Sequence, residues 1–133
     1  MFMGIFRKQE NLSLGVRGEK AAANYLKKCG YKILATNFFN PKGRRLGEID
    51  IIAKDDKDLV FIEVKTRKAF FVNTILPEES VTRSKLYKLN KTAHFYLSKN
   101  SLLDASYRFD ALAVLANPEN NHCTIKHFKN IFL

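Results

Sequence analysis

Residues 47–67 read GEIDIIAKDDKDLVFIEVKTR, and the fold turns on how this stretch is read. EIDIIAK and LVFIEVK are rich in Ile and Val and are joined by the polar turn DDKD, which predicts a β-hairpin. Strand side chains alternate between faces. Glu48, Asp50 and Ile52 therefore share one face of the first strand, with Ile49, Ile51 and Ala53 on the other. In the second strand Leu59, Phe61, Glu63 and Lys65 share a face, opposite Val60, Ile62 and Val64. Each strand has one continuous apolar face and a second face that turns polar at one end.

Antiparallel pairing about residue 56 places 50 near 62 and 48 near 64, to within one residue. Asp50 and Glu63 become neighbours at the end far from the turn, with Lys65 just beyond. Adjacent carboxylates repel unless one is protonated or a cation sits between them. Mg²⁺ is the hard, oxygen-preferring ion that two carboxylates and a phosphate would hold. Such a site suits phosphodiester hydrolysis, with a nearby lysine to orient the attacking water. The plain alternative is an exposed strand end with a cross-strand pair from Lys65 to Asp50 or Glu63. A second acid-x-Lys triplet, Asp55-x-Lys57, falls in the polar turn and is assigned no role.

The remainder fits around this hairpin. Residues 14–29 carry apolar side chains at helical spacing, with Ser13 as cap and Gly30 at the stop. YKILATNF is a short strand, and Asn40–Gly43 a turn. Residues 80–99 form an amphipathic helix, RFDALAVLA a buried strand and CTIKHFKNIF an edge strand. The order α-β-β-β-α-β-β predicts an α/β fold with helices packed on a mixed sheet of about five strands. The 133 residues suit a single domain, 1–133, with residues 1–12 as a loose basic arm.

Net charge is +10, but it is uneven. Residues 1–46 are +8, residues 47–66 are −3 and residues 67–108 are +5. Basic segments around an acidic island point to a polyanion, probed by salt dependence. Cys29 and Cys123 lack ligand spacing and read as free thiols. The start has no apolar run long enough for a signal peptide or a membrane span, so a cytoplasmic location is expected.

Asp50, then Glu63-Val64-Lys65 after the hairpin, resembles the PD-(D/E)xK core of restriction-endonuclease-like proteins. More closely, the chain resembles the YraN family of endonuclease-like proteins. The resemblance rests on GVRGEKAAANYL at 15–26, GY at 30–31, GEIDIIA at 47–53, FIEVKTR at 61–67, the helix at 85–97 and RFDALAV at 108–114. The chain is distantly similar to archaeal Holliday-junction resolvases. Ile49 stands where the motif name has proline.

The resemblance implies an α/β/α core, with Asp50, Glu63 and the Val64 carbonyl binding Mg²⁺, for which Mn²⁺ substitutes. Lys65 would act on the attacking water, and Glu19 would be the extra acid near the metal. The expected function is Mg²⁺-dependent hydrolysis of DNA, branched or single-stranded, with a non-catalytic nucleic-acid-binding protein as the alternative. The junction-cutting relatives work as dimers, so a homodimer is compatible.

Other residues divide between two readings. Arg44, Arg45, Arg67 and Lys85 are candidate phosphate contacts, with a solvated helix face as the alternative for Lys85. Thr66 is a phosphate contact or a solvated loop residue, and Glu48 supports the site or ends a strand in solvent. Glu19 would otherwise pair with Lys20 or Arg17 on the helix surface. Arg108 and Asp110 suit a buried ion pair. His94, His122 and His127 read as structural or surface residues, and Phe38, Phe39, Phe70 and Phe71 as packing residues rather than base-stacking ones.

Overall fold

The computed structural model describes residues 2–6, 12–43, 47–68, 82–117 and 119–131. Along the chain come β1 (Phe2–Ile5), α1 (Leu14–Lys28), β2 (Lys32–Phe39), β3 (Glu48–Asp55), β4 (Asp58–Lys68), α2 (Arg83–Lys99), β5 (Tyr107–Ala116) and β6 (His122–Phe128). Each of the two described helices starts where a hydroxyl can satisfy a free N–H. Ser13 accepts from Val16 and Thr82 from Lys85, each at 3.2 Å. The Thr82 cap starts α2 at Arg83, later than the expected residue 80.

The strands form one sheet in the order β1-β6-β5-β4-β3-β2. Among the described strands only β4 and β5 run parallel, and α2 lies in the crossover that such a pair requires. The middle strands are apolar on both faces, as a sheet covered on both sides must be. On one face Ile51, Ala53, Val60, Ile62, Leu112 and Val114 pack with Ala21, Ala22 and Leu26 of α1. On the other, Ile49, Ile52, Leu59, Phe61 and Phe109 pack with Leu89, Ala93 and Leu97 of α2. The layers are α/β/α. Among the described residues no helix is long and apolar enough to cross a membrane, and Cys29 and Cys123 are free thiols.

Three expectations change. First, the sheet has six strands among the described residues, because Phe2–Ile5, expected within a loose arm, pairs with β6. Phe2 turns inward, its ring 5.0 Å from that of Tyr25, whereas Met3 and Ile5 are 72% and 56% exposed. Apolar residues on both sides of this edge hide the alternation that marks a strand. Residues 7–11 lie outside the described residues.

Second, the faces of β3 do not alternate throughout. Ile49 joins Ile52 on the α2 side, although residues three apart on a regular strand face opposite ways. Their partners on β2, Phe38 and Ala35, show the same three-residue spacing on the same side. The break between them holds Asp50 and, on β2, Asn37, whose backbone is left-handed (φ +52). Third, the DDKD turn is not merely solvated. Asp55 and Asp58 lie 3.1 Å and 3.5 Å from the Arg108 guanidinium.

Candidate metal centre

The β3–β4 ladder runs from Asp55↔Asp58 to Ile51↔Ile62, and one further step brings Asp50 opposite Glu63. There the backbone pairing gives way to a side chain. The Val64 N–H donates to Asp50 Oδ2 at 2.7 Å. Glu63 is buried, 9% exposed. Its Oε1 pairs with Lys85 Nζ at 2.5 Å, while its Oε2 is buried without a hydrogen-bond partner among the described residues.

A third acid arrives on α1 because of a glycine. A Cβ at Gly18 would lie 1.7 Å from Thr66 Oγ1, so only glycine lets the helix approach β4 this closely. The next residue, Glu19, is thereby brought beside Asp50. Gly47 performs a matching task for α2. It has φ +114, and a Cβ there would stand 2.9 Å from the Lys88 carbonyl oxygen. Thr92 Oγ1 donates to the Gly47 carbonyl at 3.2 Å, fixing the entry to β3 against α2.

These acids are short of compensation. Burial pushes the Asp50 carboxyl up to about 7; the Val64 N–H works against this and the Glu19 charge adds to it. Glu63 is likewise pushed up to about 7, by burial and then by the Asp50 charge, with Lys85 opposing. Glu19 is raised by burial, its hydrogen bond to Asp50 opposing and the Glu48 and Glu63 charges adding. Close carboxyls raised together in this way are common at functional sites.

Comparison with known proteins places this arrangement in a family. The family model described as Uncharacterised protein family UPF0102 matches residues 18–114, from the tight glycine of α1 to near the end of β5. The chain belongs to the UPF0102, or YraN, family. A UPF0102 protein of Clostridium botulinum strain Hall is 43% identical over 123 residues, covering 92% of this chain and 95% of the relative. A UPF0102 protein of Clostridium acetobutylicum is 41% identical over 122 residues, covering 92% and 95%.

In this UPF0102 chain Asp50, Glu63 and Glu19 come together, and Lys65 follows on the same strand, half-buried. Among the described residues Lys65 makes no ion pair. The expected alternative of Lys65 bridging the acids is not what occurs; Lys85 pairs with Glu63 instead. Lys85 is thus neither at a free phosphate-binding position nor on a purely solvated face. Thr66 belongs to β4, not to a loop, and packs beneath Gly18. Arg67 is exposed near the end of β4. Arg44, Arg45, Phe70 and Phe71 lie outside the described residues. Phe38 packs edge-on against Tyr96, at 5.2 Å between centroids.

Arg108 and Asp110 form the expected buried pair at 3.1 Å, within a larger network. His127 Nε2 lies 2.8 Å from Asp110, and its Nδ1 lies 2.8 Å from the Tyr25 hydroxyl. His94 Nε2 meets the Tyr107 hydroxyl at 3.4 Å, and His122 is exposed.

Sequence reasoning missed Asn37. With its amide nitrogen turned toward the acids, it donates to Glu48 Oε1 at 3.1 Å and Glu19 Oε1 at 3.2 Å. Its signal was an Asn, a poor strand former, inside the apolar run ILATNFF.

Among the described residues, no three His, Cys, Asp or Glu side chains are grouped so as to hold a metal ion by themselves. That is compatible with Mg²⁺, which keeps several waters and often takes one or two carboxylates plus substrate phosphate. The donors on offer are all hard oxygens, and the buried, unpartnered Glu63 Oε2 is a vacant acceptor beside Asp50. The residues present fit such an ion.

Proposed function

We propose that this chain is a Mg²⁺-dependent nuclease that hydrolyses phosphodiester bonds in DNA, branched or single-stranded forms included. The observation that carries the reading is half-buried Asp50 beside buried Glu63, whose Oε2 has no hydrogen-bond partner among the described residues. Asp50, Glu63 and the Val64 carbonyl would hold Mg²⁺, which supplies positive charge against the phosphoryl group in the transition state. Lys65 Nζ orients the attacking water and stabilises the developing charge. Glu19 adds its carboxyl beside Asp50. Arg67 meets the flanking phosphates, as Arg44 and Arg45 would before β3. Lys85 can join them only by leaving Glu63.

The test is cleavage of duplex, single-stranded and four-way-junction DNA with Mg²⁺ or Mn²⁺. Asp50→Asn and Glu63→Gln keep the shape of the site and are expected to lower cleavage by roughly 100-fold or more. Cleavage that survives both would mark a contaminant and refute the assignment.

A second reading, a non-catalytic nucleic-acid-binding protein, draws support from the net charge of +10 and from Lys85 already seated on Glu63. It predicts salt-sensitive binding to the same DNAs without metal-dependent cleavage.

A further inference from the structure

Asn37 carries a left-handed backbone in the middle of a strand. Its neighbours Thr36 and Phe38 pair with Ile51 and Ile49, so Asn37 stands opposite Asp50. Both strands lose their two-residue alternation at this point, since Ala35 and Phe38 on β2, and Ile52 and Ile49 on β3, all pack on the α2 side. The break turns both Asn37 and Asp50 toward Glu19 of α1, on the other side.

There the Asn37 amide gives one hydrogen to Glu19 and one to Glu48, using both that it has. Asparagine is one of the few side-chain-bearing residues that enter left-handed geometry readily, and it brings a donor with it. The charged groups that act on Glu19 in turn are the acids Asp50, Glu48 and Glu63, with Lys85 beyond on Glu63. A neutral donor shared by two carboxylates draws them together without occupying the place of a cation.

We infer that Asn37 is a positioning residue of the metal centre: its amide ties Glu19 to Glu48, holds the Glu19 carboxylate against Asp50, and so sets the affinity for a divalent cation. This rests on the metal-dependent reading above. Partners that orient metal ligands are worth roughly 10- to 100-fold in affinity.

The experiment is calorimetric titration of the full chain with Mn²⁺ after removal of bound metal. Asn37→Gly accommodates the left-handed backbone and removes the side chain with its amide. It is expected to weaken Mn²⁺ binding about 10-fold or more. Asn37→Asp adds a carboxylate but removes the donor, and is expected to weaken it too. Thr36→Ala, on the exposed neighbour, is expected to leave it unchanged. In a Glu19→Gln background, Asn37→Gly should cost little more, whereas general damage to the strand would add in full.

Binding by Asn37→Gly within twofold of the parent, tighter binding by Asn37→Asp, or full additivity with Glu19→Gln would each overturn the inference alone. Absence of Mn²⁺ uptake by the unaltered chain would overturn the metal-centre reading, and this inference with it.

Discussion

Asp50→Asn is expected to stabilise the metal-free protein at pH 8 and to change it little at pH 4. The Asp50 carboxyl moves from an ordinary 3.8 to about 7 on folding, chiefly through burial. The folded state therefore keeps its proton to higher pH than the unfolded chain does. The associated stability is fully present below pH about 4 and is lost as pH rises toward 7. Each pH unit in that window costs up to about 1.4 kcal/mol, and the slope halves where the folded group is half-titrated, so the interval from pH 5 to pH 7 costs about 2 kcal/mol from this group. Asparagine still offers a carbonyl oxygen to the Val64 N–H and carries no charge, so the variant loses this slope. Glu63, also near 7, steepens the loss in the parent protein. The assay is urea denaturation in EDTA at unit steps from pH 4 to pH 8. If the metal centre is as proposed, Mn²⁺ at 100 times its Kd restores about 3 kcal/mol to the parent and far less to the variant. A parent stability that is flat from pH 5 to pH 8, or an Asp50→Asn protein less stable than the parent at pH 8, would refute the reasoning.

Gly18→Ala puts a methyl 1.7 Å from Thr66 Oγ1 and 2.7 Å from its Cβ, so a loss of about 1–3 kcal/mol is expected on denaturation. Adding Thr66→Ala should recover part of that loss, and simple additivity of the two changes would argue against the contact. Asp110→Asn removes a fully buried charge held by Arg108 and His127, at an expected cost of about 3–5 kcal/mol at pH 7. The Asp110 carboxyl is held below its usual range: burial opposes this, but His127, Arg108 and the Asn130 N–H prevail. Its contribution is present above the unfolded value and fades as pH falls, so the gap between variant and parent should narrow in acid. A gap below 1 kcal/mol at pH 7 would dismiss the network as a stabilising element.

The hairpin was legible because two apolar runs flank a short polar turn, and pairing about residue 56 came within one residue of the true register. Both described helices were legible from their spacing, and the first from its Ser13 cap as well. What stayed hidden has physical causes. Strand β1 was missed because Met3 and Ile5 are apolar yet exposed, so no inside and outside could be told apart. The break at Asn37 and Asp50 was missed because a rule of period two has no place for a residue with φ +52. The Lys85–Glu63 pair was missed because helical spacing orients a lysine around its own axis, while its reach to a strand depends on where the crossover sets the helix down. Glu19 was placed by resemblance; the reason it arrives is the space at Gly18, which only the packed structure displays.

The chain treats its buried acids in two opposite ways, and the contrast bears on function. Asp110, fully buried, receives Arg108 at 3.1 Å, His127 at 2.8 Å and the Asn130 N–H at 2.9 Å, and its carboxyl is lowered. Glu63 lies on the neighbouring strand β4 and Asp50 on β3 beyond it, in a chain with 23 Lys and Arg, yet their carboxyls are raised to about 7. Between them they receive the Val64 N–H and the half-exposed Lys85 ammonium, and Glu63 Oε2 receives no hydrogen bond among the described residues. A fold that needed only stability could neutralise this pair as it does Asp110, or replace it with apolar side chains at no loss. Leaving it under-compensated beside a neutral donor such as Asn37 makes sense if the missing charge comes from outside the chain. A small divalent cation would supply that charge, and a phosphate brought by the substrate could complete its shell.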